Sequence, residues 1–327
     1  MKKTFIVLAA MLVTSIAAKA WEVGDFYDQD PTGVPAVVVY VDDSGEHGLI
    51  MSPFAFTDKL YKQWQKKKTF AKNKKFYDKW YVNKPRKKLA KEGGDLSAFD
   101  AIVEENNRKY EQVMTWLENA PRLYDGKLKE KDERKTMEEF AGQNTEFGEE
   151  NQKAVVAYCQ ENNVDITQYF RQNDWAMQLG AGWFIPGIHE LELFNKYFAE
   201  GVGKNYKVPL HKTKEYTESI SKPNLFQAKT WAYTGGVTLY PCNLVCSSTM
   251  VKSAWSEEEG NKDKTGKYIV NNAGNGLIGL ANVIAQASDK DNYYTLCYFD
   301  NAMQGGFWWM FAYNAQQEGS WVAFKRF

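Results

Sequence analysis

The chain predicts an α+β fold: a mixed, mainly antiparallel sheet with two helices, a helical insertion near its amino end and a loop-rich carboxy-terminal half. Three observations predict it. Residues 34–41 (VPAVVVYV) and 47–52 (HGLIMS) flank Asp42-Asp43-Ser44-Gly45, the pattern of two strands joined by a tight turn. Between residues 57 and 138 apolar positions recur at helical spacing instead. From Trp231 onward Gly, Asn, Thr, Val and aromatics dominate, with short apolar segments at 237–240, 244–247, 268–270, 293–299, 307–313 and 321–324.

Composition bounds the rest. With 327 residues, 44% hydrophobic and 25% charged, the chain has material for one large domain or two smaller ones. Disorder, collagen and coiled coil are excluded on the same numbers. Lys+Arg and Asp+Glu both number 41. Three of the lysines, Lys2, Lys3 and Lys19, lie in a segment read as cleaved, so the remainder is mildly acidic and argues against nucleic acid as a partner. Aromatics make up 15%, typical of β-rich extracellular and sugar-handling folds but also of ordinary large cores.

Residues 1–20 carry a charged start (Lys2, Lys3), an apolar run from Phe5 to Val13 and an Ala18-Lys19-Ala20 site before Trp21, the layout of a secretory signal peptide. The apolar run is shorter than the ~20 residues that span a bilayer. No cysteine follows it to carry a lipid, and no later run predicts a transmembrane anchor. The expectation is an exported protein, periplasmic, secreted or at the cell surface, with residues 21–327 forming one domain.

In chain order, the hairpin is followed by a basic stretch: from Lys59 to Lys91 there are 14 Lys or Arg against one acid, Asp78, with aromatics interleaved. It reads as one or two helices broken near Pro85. Asp95 or Ser97 then caps an amphipathic helix that Pro121 ends, and a further helix over 152–162 carries Ala154, Val155, Tyr158 and Cys159 on one side. Residues 276–287 (GLIGLANVIAQA) have helical character inside the β-rich half. In Gly182-Trp183-Phe184-Ile185-Pro186-Gly187-Ile188-His189-Glu190-Leu191, a short aromatic strand stops at the proline, and Glu190 can reach back to free amides as in a capping box. Leu191, Phe194, Tyr197 and Phe198 follow as an apolar stripe.

Those residues resemble the W-x-L-P-[ST]-x-x-E-L signature of exported bacterial C-type-lectin-like domain proteins, a group distantly related to the sulfatase-modifying, formylglycine-generating fold. Other segments are similar in the same order: 37–52 to the opening hairpin, Gly142-Gln143-Asn144-Thr145 with 154–159 to the first helix, Cys246-Ser247-Ser248-Thr249 through Trp255 to a Y-W-S-S-T-E strand, and 321–327 to the closing strand. The resemblance implies a C-type-lectin-like core whose termini pair as neighbouring strands. In it Trp183, Pro186, Glu190, Leu191, Ser247, Ser248 and Thr249 are structural. Two departures stand out: Gly187 replaces the usual Ser or Thr, and about 80 residues, 57–138, occupy what is normally a short loop.

Chemistry is sparse. Lectins of this fold hold calcium through Glu-Pro-Asn or Gln-Pro-Asp and a later Trp-Asn-Asp; here Lys222-Pro223-Asn224 brings a lysine, and Asn173-Asp174-Trp175 has the wrong order. His47, His189 and His211 sit in no catalytic or metal-binding spacing, so no cofactor or metal is expected. Cys159, Cys242, Cys246 and Cys297 allow three complete pairings and are read as disulfides or buried thiols; Cys242 and Cys246 do not form a C-x-x-C motif. A cysteine-centred enzyme of the formylglycine-generating type is the alternative, though its G-G-S-W segment survives only as Gly319-Ser320-Trp321. The expectation is a non-enzymatic binding protein, its target a glycan or a surface protein. The basic stretch is either a solvated helical insert or a polyanion platform, with Trp64, Lys66, Lys67, Lys68, Lys74, Lys75 and Trp80 as its binding residues. Amino-terminal sequencing of the protein recovered after export should begin at Trp21; a chain beginning at Met1 would remove the signal-peptide reading.

Overall fold

The structure, a computed structural model, describes residues 21–126, 145, 147–187, 189–191, 193–194, 225–241, 244–252, 293–301, 307–314 and 321–327. In chain order it contains β1 (Phe26–Tyr27), β2 (Ala36–Val41), β3 (Gly48–Met51), α1 (Asp58–Lys66), α2 (Thr69–Tyr77), a π-helical turn (Asp78–Asn83), α3 (Lys84–Lys91) and α4 (Leu96–Asn119). Then come α5 (Gly148–Asn162), α6 (Ile166–Tyr169), α7 (Arg171–Gln178), α8 (Leu225–Thr234), β4 (Leu244–Lys252), β5 (Tyr293–Asn301), β6 (Phe307–Asn314) and β7 (Phe324–Arg326). The fold class is α+β. The expected strand at 268–270, the helix at 276–287, Tyr197 and Phe198 lie outside the described residues.

One antiparallel sheet has the order β1-β2-β3-β7, so the last strand of the chain closes the sheet that the first hairpin opens. Met51 stands opposite Phe324, and Phe324 also bridges Phe184 through hydrogen bonds of 2.8 and 3.0 Å. The hairpin turn is held by Asp42, whose Oδ1 accepts from the amides of Ser44 (3.0 Å) and Gly45 (3.2 Å). Those bonds, led by one from the Ser44 hydroxyl, hold the Asp42 carboxyl below the usual carboxylate range.

Both faces of this sheet are covered, which explains why β2 is a continuous apolar run and not an alternating one. Val37, Val39, Leu49 and Met51 pack with Tyr61 of α1, Val113 and Leu117 of α4, and Phe226 and Tyr233 of α8. Ala36, Val38, Val41 and Ile50 pack on the other side with Trp175 and Ala176 of α7, Trp183 and Trp321. A register shift between Val38 and Tyr40 explains how Val38 and Val41, three apart, share a face. A second antiparallel sheet has the order β4-β5-β6.

The insertion departs from its sequence reading in where it breaks. Pro85 does not interrupt the basic stretch: it occupies the first turn of α3, where its missing amide is not needed. The wider π turn ahead of it, with the Lys84 amide bonded to the Lys79 carbonyl, relieves the clash its ring would make with the carbonyl four residues back. The break falls instead at Lys67 and Lys68, where Lys68 adopts a left-handed φ of 54°. Asp95 caps α4 by accepting from the Ala98 amide at 3.0 Å. Helix α5 starts four residues earlier than its apolar positions indicate, at Gly148. Residues 237–240 form no strand; Val237, Leu239 and Tyr240 are buried in an irregular segment whose Leu239 carbonyl accepts from Phe54 N. Among the described residues no helix is long and apolar enough to cross a membrane.

Phe324 is wholly buried between β3, Phe184 and Phe194. Phe324→Ala should therefore lower the unfolding free energy by about 3–5 kcal/mol, read as a lower denaturant midpoint; an unchanged midpoint would mean the closing strand is dispensable.

Candidate functional site

Two groups of residues stand out, and the first is a seam where the motif residues meet. Glu190 is wholly buried; its Oε2 accepts from the amides of Gly187 (2.8 Å) and Gly148 (2.9 Å), and its Oε1 faces Arg326 Nη2 at 3.5 Å without a hydrogen bond. The Gly187 contact is the reach-back that the sequence spacing indicates. The Gly148 contact crosses to the start of α5, where a negative charge also meets the helix dipole. Gly148 is required for the approach: a Cβ there would lie 2.3 Å from the Ile185 carbonyl and 2.5 Å from Gly187 N.

Ser248 completes the seam. Its amide donates to the Pro186 carbonyl at 2.7 Å, and its Oγ accepts from Asn151 Nδ2 at 3.0 Å. Asn151 also exchanges bonds of 2.7 and 2.8 Å with the Thr145 backbone, whose carbonyl accepts in turn from Thr249 Oγ1 at 3.0 Å. Ser247 and Thr249 are buried beside it, and Leu191 is in the core. Trp183 donates through Nε1 to Thr32 Oγ1 at 3.0 Å, Thr32 donates to Asp30, and Lys325 Nζ lies 3.2 Å from both Asp30 oxygens. Most of these polar groups are paired with one another, while Glu190 Oε1 and Asp30 Oδ2 are buried without a hydrogen bond and face Arg326 and Lys325.

The residues weighed for metal and acid-base chemistry are placed likewise. Asn173 is buried and pairs its amide with Gln152, while Trp175 donates to the Pro121 carbonyl at 3.2 Å. His47 is exposed on the hairpin; His189 is half-buried with its ring 4.8 Å from Phe147. Lys222-Pro223-Asn224, His211 and Cys242 lie outside the described residues. Of the two sequence readings for Cys159, disulfide or buried thiol, the structure has the second: it is a free, buried thiol packed in a small cluster with Val155, Tyr158 and Phe170.

The second group lies on the insertion. The sequence-derived set divides there. Trp64 leaves it: the ring is half-buried, 5.1 Å from Phe56 and 5.4 Å from Phe70, because positions 61 and 64 of α1 share the face turned to the core. Lys74 is also committed, paired to Asp78 and 5.5 Å from the Tyr110 ring. Lys66, Lys67 and Lys68 are exposed at the α1–α2 corner, about 10 Å of helix rise from Lys75.

What remains is a compact face at the end of α2 and the π turn. Phe76 and Trp80 are 59% and 44% exposed with ring centroids 6.2 Å apart. Lys84 Nζ lies 3.2 Å from the Trp80 centroid and Lys79 Nζ 5.6 Å, cation–π geometry that holds two ammonium groups beside the ring. An adjoining open cleft is lined by Ala71, Lys74, Lys75, Asp78, Lys79, Asn83 and Tyr110. Phe76, Lys79 and Lys84 were missed by the sequence-derived set; the four-residue step from 76 through 80 to 84 was the signal that could have found them.

The face is held from behind. Tyr77 stacks on Tyr81 at 5.2 Å, Tyr81 meets Trp231 of α8 edge-on at 6.4 Å, and burial pushes the Tyr77 phenol well up. Gly235 and Gly236, at φ of 61° and 77°, bring the end of α8 against Lys74, Tyr110 and Tyr77 where a side chain would collide.

In comparison with known proteins the chain matches no family model, no curated protein and no solved structure.

Burial first, and the Asp165 charge second, push the Cys159 thiol up to about 11. At pH 8 it should stay protonated and resist iodoacetamide until the chain is unfolded, when mass spectrometry should find it alkylated; rapid labelling of the folded protein would contradict its burial.

Proposed function

We propose that the protein is an exported, non-enzymatic binding protein that holds an anionic glycan on the insertion, with a C-type-lectin-like core as its scaffold. One observation carries the reading: exposed Phe76 and Trp80 stand beside Lys75, Lys79 and Lys84, for which no carboxylate partner is present among the described residues. Some other basic groups of the insertion are matched, as where Arg86 forks onto Asp100 at 2.7 and 2.6 Å; what sets this face apart is the pair of exposed rings among its lysines. Unmatched ammonium groups attract sulfate, phosphate or carboxylate substituents over about 10 Å at 0.1 M salt. Flat aromatic faces beside them suit the apolar side of a sugar ring. Support for the scaffold is the hairpin sheet closed by the last strand, together with the Trp183, Pro186 and Glu190 seam. Partners other than a glycan would have to be anionic and able to cover an aromatic ring.

The test is titration of heparin and of neutral dextran onto the mature chain. Heparin should bind and dextran should not. Raising the salt toward 1 M, where screening shortens to about 3 Å, should weaken heparin at least tenfold. The triple variant Lys75→Gln, Lys79→Gln, Lys84→Gln should lose binding while keeping its melting temperature, because exposed substitutions of this kind move stability by only about 0.5 kcal/mol. Trp80→Ala should weaken it several-fold. Heparin affinity that ignores salt and the triple variant would sink the proposal.

A further inference from the structure

The structure assigns Cys246 and Cys297 to a cross-strand disulfide between β4 and β5, a covalent staple on the sheet rather than a reactive pair. In the β4–β5 ladder, Leu244 stands opposite Phe299, Val245 opposite Tyr298 and Cys246 opposite Cys297. Directly opposed residues on antiparallel strands share a face of the sheet, with Cα atoms about 4.5–5.5 Å apart. Disulfides span Cα separations of about 4.4–6.8 Å, a range that covers the spacing of directly opposed strand residues. Cys159 is a free thiol buried on α5, which removes it as a competitor.

The position beside the pair says what the bond does. The register is regular up to Cys246 and is lost between Cys246 and Met250. Ser247, Ser248 and Thr249 fall in that irregular stretch, and they make the bonds to Pro186, Asn151 and Thr145 described above. A bulge leaves its extra residues without partners in the ladder, so the paired residue next to it sets where they lie. A disulfide at its first residue fixes the alignment of β4 on β5 and so the placement of Ser248. It also closes a loop of 50 residues, 247–296, which limits the unfolded chain most.

Formation is thiol–disulfide exchange with a disulfide donor: glutathione disulfide in the test tube, the disulfide of a thiol oxidoreductase after export. One cysteine thiolate attacks the donor's disulfide, releasing one donor thiol and leaving a mixed disulfide. The second thiolate displaces the other donor thiol, so two protein thiols are oxidised and one donor disulfide is reduced to two thiols.

The experiment is peptide mapping by mass spectrometry after the full mature chain, prepared reduced, is equilibrated with oxidised and reduced glutathione. Cys242 and Cys246 share one tryptic peptide, running from Thr230 to Lys252, so Cys242→Ser and Cys246→Ser variants are mapped alongside. We expect that peptide linked to the one holding Cys297 in the wild type and in Cys242→Ser, and unlinked in Cys246→Ser. Should a variant fail to fold, fragmentation of the wild-type linked peptide locates the alkylated cysteine, expected at Cys242. A Cys242 to Cys297 link, or four alkylated thiols after oxidation, overturns the assignment. Heparin binding is not part of this readout, so the staple and the glycan reading fail independently.

Discussion

Taking a carboxylate out of water costs several kcal/mol unless hydrogen bonds and charge replace what water supplied, and Glu190 is wholly buried. Its position is tolerable only because two backbone amides from different parts of the chain converge on one oxygen and a guanidinium faces the other. The rest of the architecture follows from that convergence. Gly187 must bend back at Pro186, α5 must begin at Gly148 with nothing larger than hydrogen there, and β7 must carry Arg326 past the same point. Pro186, fixed in place, offers its carbonyl to Ser248 and so sets the height of the second sheet against the first. A single buried charge thus joins the hairpin sheet, α5 and β4.

The insertion obeys a different balance. Its inward side is aromatic: Tyr61 and Trp64 pack on Phe56, Phe70 packs on both of them, and Tyr77 and Tyr81 lean on the end of α8. Its outward side is cationic, and only part of that charge is met by acids of α4 and the π turn. Arginine and lysine behave differently here: Arg86 makes a planar two-bond fork with Asp100, whereas Lys79 and Lys84 end as point charges beside Trp80. The side that docks is therefore mainly aromatic, while the side that faces solvent carries the charge.

The turn at Asp42, the cap at Asp95, the amphipathic helix after it and the excess of lysine between 59 and 91 are each determined by the sequence itself. Their causes act within a few residues: an Asx turn, a side chain accepting the amide three positions on, an apolar stripe at helical period. The reach of Glu190 to Gly187 belongs with them. Pro85 shows the limit of such local rules, since a proline that ends one helix can begin another, and only the room made by the π turn decides which.

Tertiary structure alone decided which aromatics are buried. Trp64 and Trp80 sit in equally basic, equally aromatic surroundings in the sequence; the first meets Phe54 and Phe56 and the second meets solvent, because the core lies on one side of α1 only. It likewise brought Gly148 to Glu190, 42 residues away, Ser248 to Asn151, 97 residues away, and Cys297 to Cys246 across a 50-residue loop. Sequence period records which way a side chain faces along its own element. It holds no record of what stands opposite, since that depends on contacts formed only when the whole chain has closed.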